Sequence, residues 1–175
     1  MSPIVVLVTF YSRGGTTETL ASSAAVGAVQ RRALIRLRRV PDTSAEKTLD
    51  AFPECRDTLV RMYKEYVAPT EGDIVGADAI VVAPPEGFEP TSMVWTTYFG
   101  MLTKLASEGK LRGKVAAVVD AGHEATVQSF SETLSRLGLS LPSGGFDVTA
   151  DAAERARELG RRVVDLVQAR RPAVS

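Results

Sequence analysis

At 175 residues with 45% hydrophobic side chains, the chain has the length for one domain with a full core and is short for two. Its 21 basic and 21 acidic side chains cancel, leaving no net charge to favour nucleic acid or an anionic membrane. A single cysteine, Cys55, rules out a disulfide framework and any CxxC or Cys/His metal spacing, so a reducing cytoplasm and no metal site are expected. No run approaches about 18 apolar residues, and the chain start shows no charged leader or long apolar stretch, so neither membrane insertion nor targeting is expected.

Ile4 to Val8 is a short apolar, β-branched run of the kind found in the middle of a parallel sheet. Ser12-Arg-Gly-Gly-Thr-Thr17 follows it with two glycines, three hydroxyls and one cation. Thr17, Leu20, Ala21, Ala24 and Ala28 then recur at helical spacing, which places this turn at a helix N-terminus. The first amides of a helix lack intrahelical acceptors and, with the positive end of the dipole, attract anions. A glycine turn before a Thr-capped helix is the plainer reading of the same residues. Neither G-x-G-x-x-G nor Gly-Lys-Ser/Thr is present, so the loop is neither a dinucleotide fingerprint nor a Walker loop. What remains is a hydroxyl-rich monophosphate loop, and FMN is a ligand of that description.

Ala33 to Val40 sets Leu34, Ile35, Leu37 and Val40 among charged residues, as in an edge strand. Its arginines Arg36, Arg38 and Arg39, with Arg31 and Arg32, read as a solvated strand edge. Pro41-Asp-Thr-Ser44 breaks the strand and offers a helix cap. Ala45 to Tyr66 predicts one helix, or two short ones bent at Pro53, whose aromatics Phe52, Tyr63 and Tyr66 read as core. Ala79 to Ala83 is a second buried run, and Pro84 to Ser92, with three prolines and a glycine, is a loop at its carboxyl end. A helix is expected over Ser92 to Ser107, with Trp95, Tyr98 and Phe99 read as packing rather than as a substrate wall. Val115 to Val119 is the third buried run, followed by the loop Asp120 to Glu124 and a helix over Thr126 to Leu137. A short strand at Leu139 to Leu141, a Pro-Ser-Gly-Gly turn and a helix opening at Asp151 complete the order.

Strands alternating with helices predict an α/β fold: a three-layer, doubly wound, five-stranded parallel sheet of order 2-1-3-4-5 in one domain over residues 1–175. Ligands of such sheets bind outside the carboxyl ends of the strands, where the strand order reverses. The loops Ser12 to Thr17, Pro84 to Ser92 and Asp120 to Glu124 are therefore expected to converge on one site.

On these residues the chain resembles the flavodoxin-like, WrbA-type NAD(P)H:quinone oxidoreductases, which bind FMN. Phe10-Tyr-Ser12 leads into Gly15, Glu18, Thr19 and Ala21 at the spacing of that family's first loop. Further similarity lies at Arg39-Val-Pro-Asp-Thr43, Ala77-Asp-Ala-Ile80 and Gly109-Lys-Leu-Arg-Gly-Lys114. The resemblance covers most of the chain up to about Leu139. It implies FMN-binding residues Ser12, Arg13, Gly14, Gly15, Thr16 and Thr17 in the first loop and Pro84, Pro85, Glu86, Gly87 and Phe88 in the second. The third loop would add Asp120, Ala121, Gly122 and His123. It implies NAD(P)H and a quinone-like acceptor as partners and assembly as a homodimer or homotetramer. Glu86, Gly87 and Glu89 depart from the family's Thr, Arg and Gly, the third loop is shorter, and the segment before the last helix is largely missing.

Acidic groups near a reduced flavin would lower its reduction potential, and a shortened loop would remove amides that hold it. The leading expectation is an FMN-dependent oxidoreductase with no catalytic side chain. His123, the one histidine, is open to a proton-supplying role and to a plain surface-loop role. A flavodoxin-fold interaction module that has lost FMN is the alternative. A one-electron carrier is the third reading, and the neutral charge balance speaks against its acidic docking face.

Overall fold

The computed structural model describes residues 2–144 and 149–172. Strands β1 (Val5–Phe10), β2 (Leu34–Arg39), β3 (Ala79–Ala83) and β4 (Val115–Val118) form one parallel sheet in the order β2-β1-β3-β4. Between and after them run α1 (Thr16–Gln30), α2 (Ala45–Ala51), α3 (Arg56–Glu65), α4 (Glu71–Val75), α5 (Met93–Ser107), α6 (Glu124–Arg136) and α7 (Ala152–Arg170).

Side chains alternate across a strand, so each strand feeds two cores. Val6, Val8, Phe10, Val81 and Ala117 face α1, α3 and α7, where they meet Leu20, Ala24, Met62, Leu159 and Val163. Leu7, Ile80, Val82 and Ala116 face α4, α5 and α6, where they meet Ile74, Trp95, Leu102 and Phe130. Helices on both faces of a parallel sheet make the doubly wound, three-layer arrangement expected from the pattern.

Three expectations are corrected. The fifth strand, Leu139 to Leu141, is reduced to a single parallel bridge at Ser140, so four strands are formed among the described residues. Ser140 exchanges two backbone hydrogen bonds with β4, accepting from Ala116 N at 2.8 Å and donating to Lys114 O at 3.1 Å. Two residues on, Pro142 has no N–H to continue the ladder. Gly145, the end of the expected turn, lies outside the described residues. The arginines of β2 are not a solvated edge either. Arg38 grips Asp73 of α4 through two hydrogen bonds of 3.0 and 3.1 Å, Arg36 lies 3.7 Å from the same carboxylate, and Arg39 is buried. The short helix α4 was not expected; its capping box between Thr70 and Asp73 is legible afterwards.

Helix α1 meets α7 at two glycines. A Cβ on Gly27 would lie 1.9 Å from Arg157 O, and one on Gly160 would lie 2.0 Å from Ala24 O. Carbon atoms need about 3.5–4.0 Å, and a backbone carbonyl cannot rotate away as a side chain can. Gly160→Ala gains about 1 kcal/mol of helix propensity but must part the helices, an overpacking cost of about 1–3 kcal/mol or more. We expect it to lower the urea midpoint with a net loss of about 2 kcal/mol. An unchanged midpoint would show that the helices are not in backbone contact.

Candidate active site

The first rim loop is shaped by its own side chains. Ser12 is buried, and its Oγ accepts from Gly15 N at 3.1 Å. Gly15 has φ +95°, a left-handed conformation that a side chain would strain, and it turns the chain directly into α1. No side chain caps this helix, and its first intrahelical bond runs from Thr19 N to Gly15 O at 3.0 Å. The amides of Thr16, Thr17 and Glu18 therefore stand without an acceptor.

Glu18 is the one acidic residue in that first turn, and its charge is already matched. Arg61 donates to it at 2.9 and 2.7 Å, and Tyr66 Oη donates at 2.8 Å. These hydrogen bonds, Arg61's above all, hold the Glu18 carboxyl below its usual range despite partial burial. Burial, and then the bond to Glu18, push the Tyr66 hydroxyl up to about 12.

Behind the loop lies a closed ion pair. The Asp42 side chain is 1% exposed and that of Arg39 is 4% exposed, 3.2 Å apart. Asp42 also accepts from the hydroxyls of Tyr11 and Tyr63, while Arg39 donates to Ser12 O at 2.8 Å. Burial first, and then the Asp42 carboxylate, push both tyrosine hydroxyls above their usual range. Tyr11 packs against Phe88 of the second loop with ring centroids 5.4 Å apart. Arg13 stacks on Phe52 at 4.0 Å and donates from Nε to Tyr11 Oη at 3.1 Å.

An open cleft of about 280 Å³ joins the first two loops. Ser12, Arg13, Gly14, Thr16, Thr17, Pro85, Glu86 and Phe88 line it, together with Tyr11. Gly15 shapes it from the backbone, whereas Pro84 is buried behind it. The third loop does not reach its lining. Asp120 Oδ1 accepts from Gly122 N at 2.7 Å in a local turn, and Ala121 packs toward the α1 core. That loop meets the second one instead, with His123 Nε2 3.1 Å from Glu86 Oε2 and Gly87 N donating to Thr126 Oγ1 at 3.3 Å. The cleft itself is lined by the first two loops, and the third is braced against the second through His123 and Glu86. A larger cavity, of about 410 Å³, lies against α5 with Asp42, Met93, Tyr98 and Met101 in its wall. Trp95 and Phe99 are core, as expected.

Sequence reasoning missed Tyr11, Phe52, Arg39, Asp42 and Tyr63 as parts of the site. Arg39 and Asp42 sit in the Arg39-Val-Pro-Asp-Thr43 stretch, so their spacing was in view without their partners.

No protein-family model matches the chain. The NAD(P)H dehydrogenase (quinone) of Cupriavidus metallidurans is 30% identical over 142 residues, covering 78% of this chain and 68% of that protein. The one from Paracoccus denitrificans is 29% identical over 140 residues, and this chain spans 64% of its length. The one from Archaeoglobus fulgidus is 28% identical over 186 residues, covering 93% and 97%. Among solved structures, a flavodoxin, WrbA-like protein from Agrobacterium tumefaciens superposes with a TM-score of 0.63 at 17% identity, covering 96% of this chain and 99% of that one. A Streptococcus pneumoniae flavodoxin gives 0.60 at 18%, covering 93% and 99%. The fold is flavodoxin-like.

Two outcomes follow from the geometry. Asp42→Ala leaves Arg39 charged and buried without its partner, and we expect a loss of about 3 kcal/mol or more in urea unfolding. A loss below about 1 kcal/mol would show that water reaches the pair. Glu18 has a depressed carboxyl pKa, so its contribution is complete above the ordinary glutamate value of 4.5 and fades as pH falls through the lower folded value. The stability gap between wild type and Glu18→Gln should accordingly be wide at neutral pH and narrow in acid. An equal gap at both would count against the Arg61 pairing.

Proposed function

The chain belongs to the NAD(P)H dehydrogenase (quinone) family, and on that premise we propose that it is an FMN-dependent oxidoreductase acting between NAD(P)H and a quinone-like acceptor. The observation that carries this reading is the uncapped start of α1, where three free amides adjoin the hydroxyls of Ser12, Thr16 and Thr17. Oriented amides at the positive end of a helix dipole, with hydroxyls beside them, are a donor set for a monophosphate. FMN fits that set, and Phe88 with Pro85 offers an apolar wall for its ring in the same cleft.

FMN bound there would supply hydride-transfer redox chemistry between the nicotinamide and the acceptor. The chain's own residues hold and orient. The Ser12 hydroxyl accepts from Gly15 N and keeps its proton free to donate toward the phosphate. Tyr11, fixed by Asp42, supports Phe88 from behind. Glu86 stands in the cleft wall, where a carboxylate disfavours added negative charge, and His123 Nε2 lies 3.1 Å from its Oε2. Assembly as a homodimer or homotetramer and a cytoplasmic setting belong to the same proposal. The single cysteine supports the second.

An absorbance titration of the flavin-free protein with FMN tests the reading. We expect saturable binding at micromolar or tighter affinity, weakened about tenfold in Ser12→Ala through loss of one hydrogen bond to the charged phosphate. No binding by the wild-type protein would leave the alternative of a scaffold without flavin.

A further inference from the structure

The guanidinium of Arg13 has no carboxylate partner among the described residues, yet it is held in place. It lies 4.0 Å from the centroid of Phe52, 5.4 Å from Phe88 and 5.5 Å from Tyr11. Its Nε donates to Tyr11 Oη, whose own proton goes to the buried Asp42. Among the described residues its two terminal nitrogens have no protein acceptor, and the residue lines the cleft beside Gly14, Thr16 and Thr17. Three aromatic faces attract and orient the cation, so its side-chain entropy is given up on folding rather than on binding.

The charge around it is equally telling. Glu18, which would otherwise oppose an anion at the start of α1, is already matched by Arg61 and Tyr66 from the neighbouring α3 segment. A free guanidinium therefore adds to the helix dipole and three open amides, against the single acid Glu86 in the lining of the cleft. A neutral hydroxyl ligand needs none of that charge, whereas a phosphate monoester carries about −1.5 to −2 at neutral pH. The planar guanidinium fork also suits phosphate oxygens.

We infer that Arg13 is a specificity-determining residue of the cleft, pairing through its terminal nitrogens with the ligand's phosphate and so selecting FMN over unphosphorylated riboflavin. The inference rests on the reading of the cleft as a flavin site. Its test is fluorescence titration of the flavin-free full chain with FMN and, separately, riboflavin, using inorganic phosphate as competitor, in wild type, Arg13→Gln and Arg13→Lys. Arg13→Gln loses about tenfold to a hundredfold in FMN affinity and none in riboflavin affinity, the loss expected for a charge-assisted contact. Riboflavin binding also reports that the variant cleft still forms. Arg13→Lys keeps the charge without the fork and falls between the two. Inorganic phosphate displaces FMN from wild type more readily than it displaces riboflavin. Equal losses for both flavins in Arg13→Gln, or no loss for either, would overturn the inference while leaving the flavin reading intact. A wild-type chain that binds neither flavin overturns the reading of the cleft, and the inference with it.

Discussion

The guanidinium of Arg39 and the carboxylate of Asp42 face each other where water does not reach, and the rim of the sheet is arranged around them. Burying such a pair costs less the more of its remaining donors and acceptors are used. Asp42 uses two tyrosine hydroxyls and Arg39 the carbonyl of Ser12, while the Nε of Arg39 stays buried with no hydrogen-bond partner among the described residues. The pair ties three separate pieces of chain together: the end of β2, the bent α2 to α3 segment through Tyr63, and the loop before α1. Polar groups that must be paired are directional in a way apolar packing is not. That directionality gives the loop a defined position relative to the sheet.

Electrostatics at the start of α1 then follow from which charges are matched and which are left over. Glu18 is matched by Arg61, Asp73 by Arg38, and Asp42 by Arg39, each within hydrogen-bond distance. Burial, the largest single influence, raises the Asp73 carboxyl, but Arg38 and the hydrogen bonds of Thr70 together outweigh it, so the group ends below its usual range. Glu86 has His123 at 3.1 Å but remains 69% exposed, which leaves water to screen that pair. In a chain with no net charge, the one acid in the first turn of α1 is thus already paired, and Glu86 in the cleft lining is the acid that remains screened mainly by water.

Much of this fold was legible because its strands are buried on both faces and read as plain apolar runs, as AIVVA and VAAVV do. The helix stops at Gly109 and Gly138 and the cap at Asp151 were equally plain. The fifth strand failed because a strand so short depends on ladder bonds, and Pro142 removes one where pairing would continue. The arginines of β2 were misread because the same spacing serves a solvated edge and a set of buried or half-buried ion pairs. Only the approach of Asp73 on α4, and the return of Asp42 beneath the loop, distinguishes them. The loop Ser12 to Thr17 was visible as a motif, whereas Phe52 and Tyr63 were not, since their role depends on a bend that folds α2 and α3 back over the rim.

Glycines far from the cleft bear on it through the axis of α1. Contact between α1 and α7 at Gly27 and Gly160 is backbone against backbone, so the separation of the two helices is set by atoms with almost no freedom to adjust. The amides of Thr16 to Glu18 sit at the end of that same helix, about three turns from Gly27 at the 5.4 Å pitch. A shift that parts the helices would tilt those amides relative to Ser12 and Phe88, which are held to the sheet by separate contacts with Arg39 and Tyr11. Close packing at one end of the helix and the polar network at the other therefore constrain the same few atoms. Neither alone would place free amides, hydroxyls and the Arg13 guanidinium along one cleft.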